Sequence, residues 1–124
     1  DFQFKSFAEE LALCQRYYLQ YDYHDQYEAV TIGINNNAGQ SYGILYFPTT
    51  MRTAPTQTES SVGHFRVNQG ASDEACNDIT TENTSNKSCM LVFHKTTENM
   101  TSWEGSIISA DNNDDASLFF SAEL

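Results

Sequence analysis

Basic side chains are scarce in this chain, with six Lys and Arg against seventeen Asp and Glu for a net charge of −11. Phosphate backbones are held by clustered Lys and Arg, so no nucleic-acid partner is expected. Long apolar runs are missing too, no stretch approaches bilayer-spanning length, and the mean hydropathy is −0.51, so membrane insertion is not expected. Cysteine is limited to three positions without a Cys-x-x-Cys, which removes the usual zinc and thioredoxin-like motifs. A Gly-x-Ser-x-Gly elbow, a glycine-rich phosphate loop and a His-x-x-x-His pair are equally absent. His24, His64 and His94 lie far apart, and the neighbouring Glu9 and Glu10 would point about 100° apart on a helix, which does not suit two carboxylates sharing one bond. No enzymatic activity is read from these residues, and no cofactor is expected.

What remains is one domain's worth of chain, 124 residues with 40% hydrophobic and 13% aromatic content, enough to bury a core. The first residue is Asp1 and no signal-peptide pattern precedes it, so the chain is expected to be the C-terminal part of a longer one. A single clear helix signal stands near the start. Ser6 and Glu9 form the pattern of a capping box, and Phe7, Leu11, Cys14 and Tyr18 recur at helical spacing on one face. That face is expected to anchor a helix of about three turns across the core, with Cys14 as a buried thiol. A change to strand is expected near Arg16, where tyrosines begin to dominate.

The rest reads as short strands and turns. Strands are expected over residues 16–23, 29–34, 40–47, 55–59, 62–68, 88–94, 105–110 and 116–122, with a brief one near 78–81 inside a polar surface excursion at 74–86. The pair 29–34 and 40–47, joined by Asn35-Asn36-Asn37-Ala38-Gly39, is the best hairpin. Residues 70–73 read as a turn. Met90, Leu91, Val92 and Phe93 form a continuous apolar run that suits a strand covered on both faces. Seven or eight such strands with one short helix predict an all-β, antiparallel β-sandwich, jelly-roll-like, over residues 1–124.

Three groups of residues are candidates for sites. Asp111-Asn112-Asn113-Asp114-Asp115 is a dense oxygen cluster without EF-hand spacing; Asp111, Asn113 and Asp115 are the candidate Ca2+ ligands, weighed against a plain acidic turn. The aromatic set offers stacking surfaces for sugar rings, with Tyr21, Tyr23, Tyr42 and the single Trp103 as candidates, weighed against burial in the core. Cys76 and Cys89 flank a polar segment and are a candidate disulfide that would restrain it. Arg16 and Arg52 are expected in structural salt bridges, as arginines in an acidic chain usually are.

The stretch SFAEELALCQRYY (residues 6–18) resembles a signature in virion proteins of tailed bacteriophages, near the start of a C-terminal domain of tail-fibre-like or tailspike-like appendage proteins. FPTTMRTAPT (residues 47–56) is similar to a strand end and loop of the same domains, through Met51, Arg52, Ala54 and Pro55, and the final SAEL (residues 121–124) to the way these chains close. The middle of the chain, about residues 59–104, carries no such likeness. The resemblance implies a virion protein in a tail or head appendage, non-enzymatic, at a tip that attaches to a host-surface glycan or protein. It also implies a homotrimer, with the tyrosine-rich strand or the helix face near the axis and the acidic loop outward. Assembly in bacterial cytoplasm works against a Cys76–Cys89 bond, whereas life outside the cell would preserve one. A carbohydrate-binding module, a capsid-decoration or assembly domain and a polysaccharide-cleaving tip are the alternatives.

Overall fold

Ser6 makes the capping box its sequence announces. Its hydroxyl accepts from the Glu9 amide at 3.2 Å, and the Glu9 carboxylate accepts from the Ser6 amide at 3.3 Å. In this computed structural model, which describes residues 6–70 and 72–123, the helix α1 (Phe7–Gln15) then runs for nine residues and gives way to strand β1 (Tyr18–Tyr23). The Ala71 of the expected 70–73 turn and the Leu124 of the closing SAEL lie outside the described residues.

The helix does not anchor the core. None of its residues is buried, Phe7 is 82% exposed, and Cys14 is an exposed thiol rather than a buried one. The reason lies in the stripe itself, which offers only Phe7, Leu11 and Cys14 before the backbone becomes extended, while the strands fill the core with larger groups. Tyr18, the fourth member of the stripe, belongs to β1 and donates its hydroxyl to Gln20 Oε1 at 3.1 Å on the exposed side.

The remaining strands are β2 (Ala29–Asn37), β3 (Gln40–Tyr46), β4 (Thr56–Glu59), β5 (Phe65–Gln69), β6 (Ser72–Glu82), β7 (Ser88–Lys95), β8 (Gly105–Ala110) and β9 (Ala116–Ser121). All pair antiparallel. The all-β, antiparallel expectation holds, but the layering differs from two open sheets. Six strands close into a barrel in the order β2-β3-β7-β6-β5-β8, and β1-β9-β4 form a separate three-stranded sheet.

Turn chemistry sets the first hairpin: Asn37 Oδ1 accepts from the Gly39 amide at 2.8 Å, and Asn37 pairs with Gln40. Leu91, Val92 and Phe93 are buried, and β3 and β6 pair along the two edges of β7, but Met90 is only half-buried on its outer face, so the strand is central without being covered on both faces as expected. The polar excursion at 74–86 is instead mostly the longest strand, β6, of eleven residues. Its alternation is hidden because the pairing with β7 shifts between Cys76 and Asp78, so the inward Cys76 and Ile79 stand three apart rather than two.

One cluster of buried residues joins barrel and sheet. Phe65 of β5 meets Phe93 at 6.4 Å and takes the edge of Tyr23 from β1 at 6.0 Å, while Phe120 of β9 meets Phe47 at 5.2 Å. Arg16 and Arg52 do not form the expected salt bridges with any described carboxylate. The Arg52 guanidinium lies 5.8 Å from the centre of the Tyr17 ring, and the ion pair of the described residues is Arg66 with Asp73 at 2.8 Å.

Leu11→Ala is therefore expected to cost less than about 1 kcal/mol, and Leu91→Ala, at a fully buried position, about 2 to 5 kcal/mol. Urea unfolding of both variants checks the contrast.

Candidate interaction surface

Strands β2 and β3 are turned inside out relative to a usual half-buried strand. Gly33, Asn35, Ser41 and Gly43 face the barrel interior and are buried, whereas Ile32, Ile34 and Ile44 face outward and are exposed. Interior width explains the inversion. Eight strands make a barrel just wide enough for side chains to fill, and six leave less room. Gly33 lies directly opposite Gly43, and a Cβ on Gly33 would stand 2.5 Å from the Tyr42 carbonyl oxygen, 2.6 Å from Ser41 Oγ and 2.9 Å from Ile108 Cδ1. A Cβ on Gly43 would stand 2.5 Å from Thr31 Cγ2. Ser41 and Ser106 share a buried hydroxyl hydrogen bond on the same wall.

Register then gathers the displaced side chains on one outer face. Ile32 is opposite Ile107, Ile34 opposite Tyr42, and Ile44 opposite Met90, so the row crosses β8, β2, β3 and β7. Tyr46 extends it along β3. Ile32 is 78% exposed and Tyr46 74%, with Ile34, Ile44 and Ile107 also exposed and Tyr42 and Met90 half-buried. None of the seven is Asp, Glu, Lys or Arg in a chain of net charge −11. This contiguous apolar face is the candidate interaction site.

The four aromatic candidates separate. Tyr23 is buried and its hydroxyl pKa is pushed well up, first by desolvation and then by Tyr21 and Glu28 nearby. Tyr21 is half-buried, edge-on to Phe120 at 6.0 Å, with its hydroxyl donating to the Tyr46 carbonyl at 3.4 Å. Tyr42 lies on the apolar face. Trp103 is 69% exposed, at a backbone φ of 67°. It heads a corner at the start of β8, where its amide donates to the Asn35 carbonyl at 2.7 Å. Asn35 Nδ2 in turn donates to Thr101 O and Gln69 Oε1, both at 3.0 Å, and Gln69 Nε2 donates to Glu104 Oε2 at 2.6 Å. Asn35 Oδ1, also buried, has no hydrogen-bond partner among the described residues.

The acidic loop is held by a side-chain turn of its own and by bonds to neighbouring segments. Asn113 Oδ1, a candidate Ca2+ ligand, accepts from the Asp115 amide at 2.7 Å, and the Asp111 amide donates to the His64 carbonyl at 2.8 Å. Among the described residues no three of His, Cys, Asp and Glu come together as a metal set, so Asp111 and Asp115 are not joined by a third such ligand.

Cys76 and Cys89 are free and buried rather than bonded. Cys76 of β6 pairs with Lys95 of β7, and Cys89 lies six residues back along β7, roughly 20 Å away at about 3.3 Å per residue, far beyond disulfide reach. Burial, helped by Asp111 and Glu74, pushes the Cys76 thiol up to about 12, and burial pushes Cys89 up to about 11, so both are poor nucleophiles.

A polar cleft of about 270 Å³ lies at the β2–β3 turn, between Asn37, Gln40, Asp78, His94 and Glu98. His94 Nε2 is 3.0 Å from Thr80 Oγ1 of the neighbouring β6. The outward isoleucines were not among the candidates read from the chain. The available signal was a glycine flanked by large apolar residues in each of two paired strands, Gly33 between Ile32 and Ile34 and Gly43 between Tyr42 and Ile44, since glycine inside a strand marks a close backbone approach.

Compared with known proteins, the chain matches no family model, no curated protein and no solved structure.

Gly33→Ala is expected to destabilise by about 1 to 3 kcal/mol, because the added methyl meets a backbone carbonyl that cannot move aside cheaply. That cost outweighs the roughly 0.4 to 1 kcal/mol that replacing glycine gains by restricting the unfolded chain. Thermal unfolding followed by circular dichroism reads the sign.

Proposed function

We propose that this chain is a non-enzymatic structural domain of a tailed-phage virion, at the tip of a tail or head appendage that takes part in host-surface attachment. The observation that carries its structural role is the apolar face across β8, β2, β3 and β7, and the occupant is a second copy of the same chain. Charge permits a like partner on this face, because the seven side chains hold no fixed charge and the nearest paired carboxylate, Glu82 opposite Met90, stands at its edge. Area permits it as well. The exposed parts of these side chains amount to on the order of 600 Å² per copy, the apolar centre of a contact whose remainder falls on the polar rim. A three-fold arrangement with this face at the axis replaces the tyrosine strand or the helix as the site of trimer contact.

The virion setting rests on the resemblance of three stretches, and their arrangement supports treating them as one signature. The Arg52 amide donates to the Arg16 carbonyl at 2.7 Å, the Ala122 amide to the Tyr17 carbonyl at 2.8 Å, and Thr49 Oγ1 to Gln15 Oε1 at 3.3 Å. Residues from SFAEELALCQRYY, FPTTMRTAPT and SAEL thus interlock, although the chain separates them widely. Met51 and Pro55 of the second stretch are buried, so this loop packs into the domain.

Light scattering at micromolar concentration in moderate salt is expected to give the mass of a trimer, and Ile32→Glu or Ile44→Glu to give a monomer with unchanged circular dichroism. A wild-type monomer would contradict the assembly role. Mass spectrometry and cryo-microscopy of the native particle test the virion setting, and a particle without this chain in its appendages would reject it.

A further inference from the structure

We propose that the corner carrying Trp103 is a binding site for a neutral saccharide, an inference that rests on the attachment reading and names its ligand class. Trp103 is the single tryptophan of the chain, and its side chain stands 69% exposed instead of filling the core. Its φ of 67° is a left-handed backbone conformation that a bulky residue adopts only when its surroundings enforce it. Such outliers concentrate at functional sites, where the backbone is held in place before a ligand arrives.

The enforcement is visible. The Trp103 amide is fixed to the Asn35 carbonyl at 2.7 Å, and Gln69 Oε1 accepts from both the Thr101 amide at 2.8 Å and Asn35 Nδ2 at 3.0 Å. These bonds tie the 101–104 turn to β2 and β5, so the indole is presented by a rigid corner. Beside it, Gln69 Nε2 donates one hydrogen to Glu104 Oε2 at 2.6 Å and keeps a second N–H, while Glu104 keeps its other carboxylate oxygen. A donor and an acceptor side by side match adjacent hydroxyls of a pyranose, and the indole supplies the flat apolar surface on which the C–H face of the ring stacks. The adjoining cleft of about 400 Å³, lined by Ile32, Asn68, Gln69, Gly70 and Ile107, shares its two isoleucines with the apolar face and is not part of the site.

Charge narrows the class. A chain of −11 with Glu104 at the site repels carboxylated or phosphorylated sugars, so the ligand is a neutral glycan. The site lies at the polar rim of the apolar face, where Gly105 pairs with Ile34, and does not use the central isoleucines.

Because Trp103 is the sole tryptophan, its fluorescence reports the site directly. The full chain is screened on an array of neutral oligosaccharides, then titrated with the bound ones together with N-acetylglucosamine, methyl β-galactoside and, as an acidic control, N-acetylneuraminic acid. The expected result is a saturable blue shift with at least one neutral sugar and none with the acid. By calorimetry, Trp103→Ala abolishes that binding and Glu104→Gln weakens it at least tenfold, with Trp103→Phe retaining part of it as evidence that the variants fold. Ile44→Glu, outside the site, binds as the unaltered chain does. No saturable response to any neutral sugar, a response to the acid alone, or undiminished binding by Trp103→Ala would overturn the site. Trp103-dependent sugar binding by a chain missing from phage appendages would reject the virion setting and leave the saccharide site standing, whereas a chain found in the particle without sugar binding would do the reverse.

Discussion

The narrow interior of the six-stranded barrel is the constraint on which the rest of this structure depends. Closing the barrel requires β2 to pair with β8 on one side and β3 on the other, and that wall has room only for Gly33, Gly43, Ser41 and Ser106 beside the buried Asn35. Because side chains alternate strictly along a strand, putting the small residues inside puts Ile32, Ile34, Ile44 and Tyr46 outside. The apolar face is thus not surplus hydrophobicity scattered over a surface. It follows from barrel closure, and a one-residue slip that hid the isoleucines would drive them into a space that a single Cβ overfills.

The same wall links fold to site. Asn35 is buried at the end of β2 and spends both hydrogens of its amide on Gln69 and the 101–104 turn, which carries Trp103. The chain thereby joins the apolar face and an exposed aromatic corner through one strand. Elsewhere the three-stranded sheet adds the opposite half of the core, and the helix, capped but unburied, contributes a hydrogen-bonded junction with the 47–56 loop more than packing.

Much of this was legible in the chain and some could not be. The capping box, the Asn37–Gly39 turn and the buried run in β7 are local, each set by residues within a few positions of one another. The strands around them followed from alternation and turn residues. Which side of a strand faces inward is a different matter, since alternation gives two faces and hydrophobicity alone would favour the wrong one for β2 and β3. Only the register of the first hairpin, which sets Gly33 opposite Gly43, decides it. The β6 strand was hidden by a bulge that breaks the period between Cys76 and Ile79, and the disulfide expectation failed because both cysteines lie on strands whose register separates them. Trp103 was recognisable as a candidate by being alone and aromatic, but the bonds that hold its corner come from β2 and β5.

The outward direction of the isoleucines is the central claim, and their methyl groups report it directly. With the isoleucine δ1-methyls labelled in an Ile32→Glu chain that is held apart from its copies, a soluble paramagnetic agent is expected to broaden the NMR signals of Ile34, Ile44 and Ile107 strongly. Ile79 and Ile108, buried in the barrel, are expected to stay sharp. Sharp signals from Ile34 and Ile44, level with those of Ile108, would mean that β2 and β3 turn these side chains inward, and the account of the barrel and of its exposed face would be wrong.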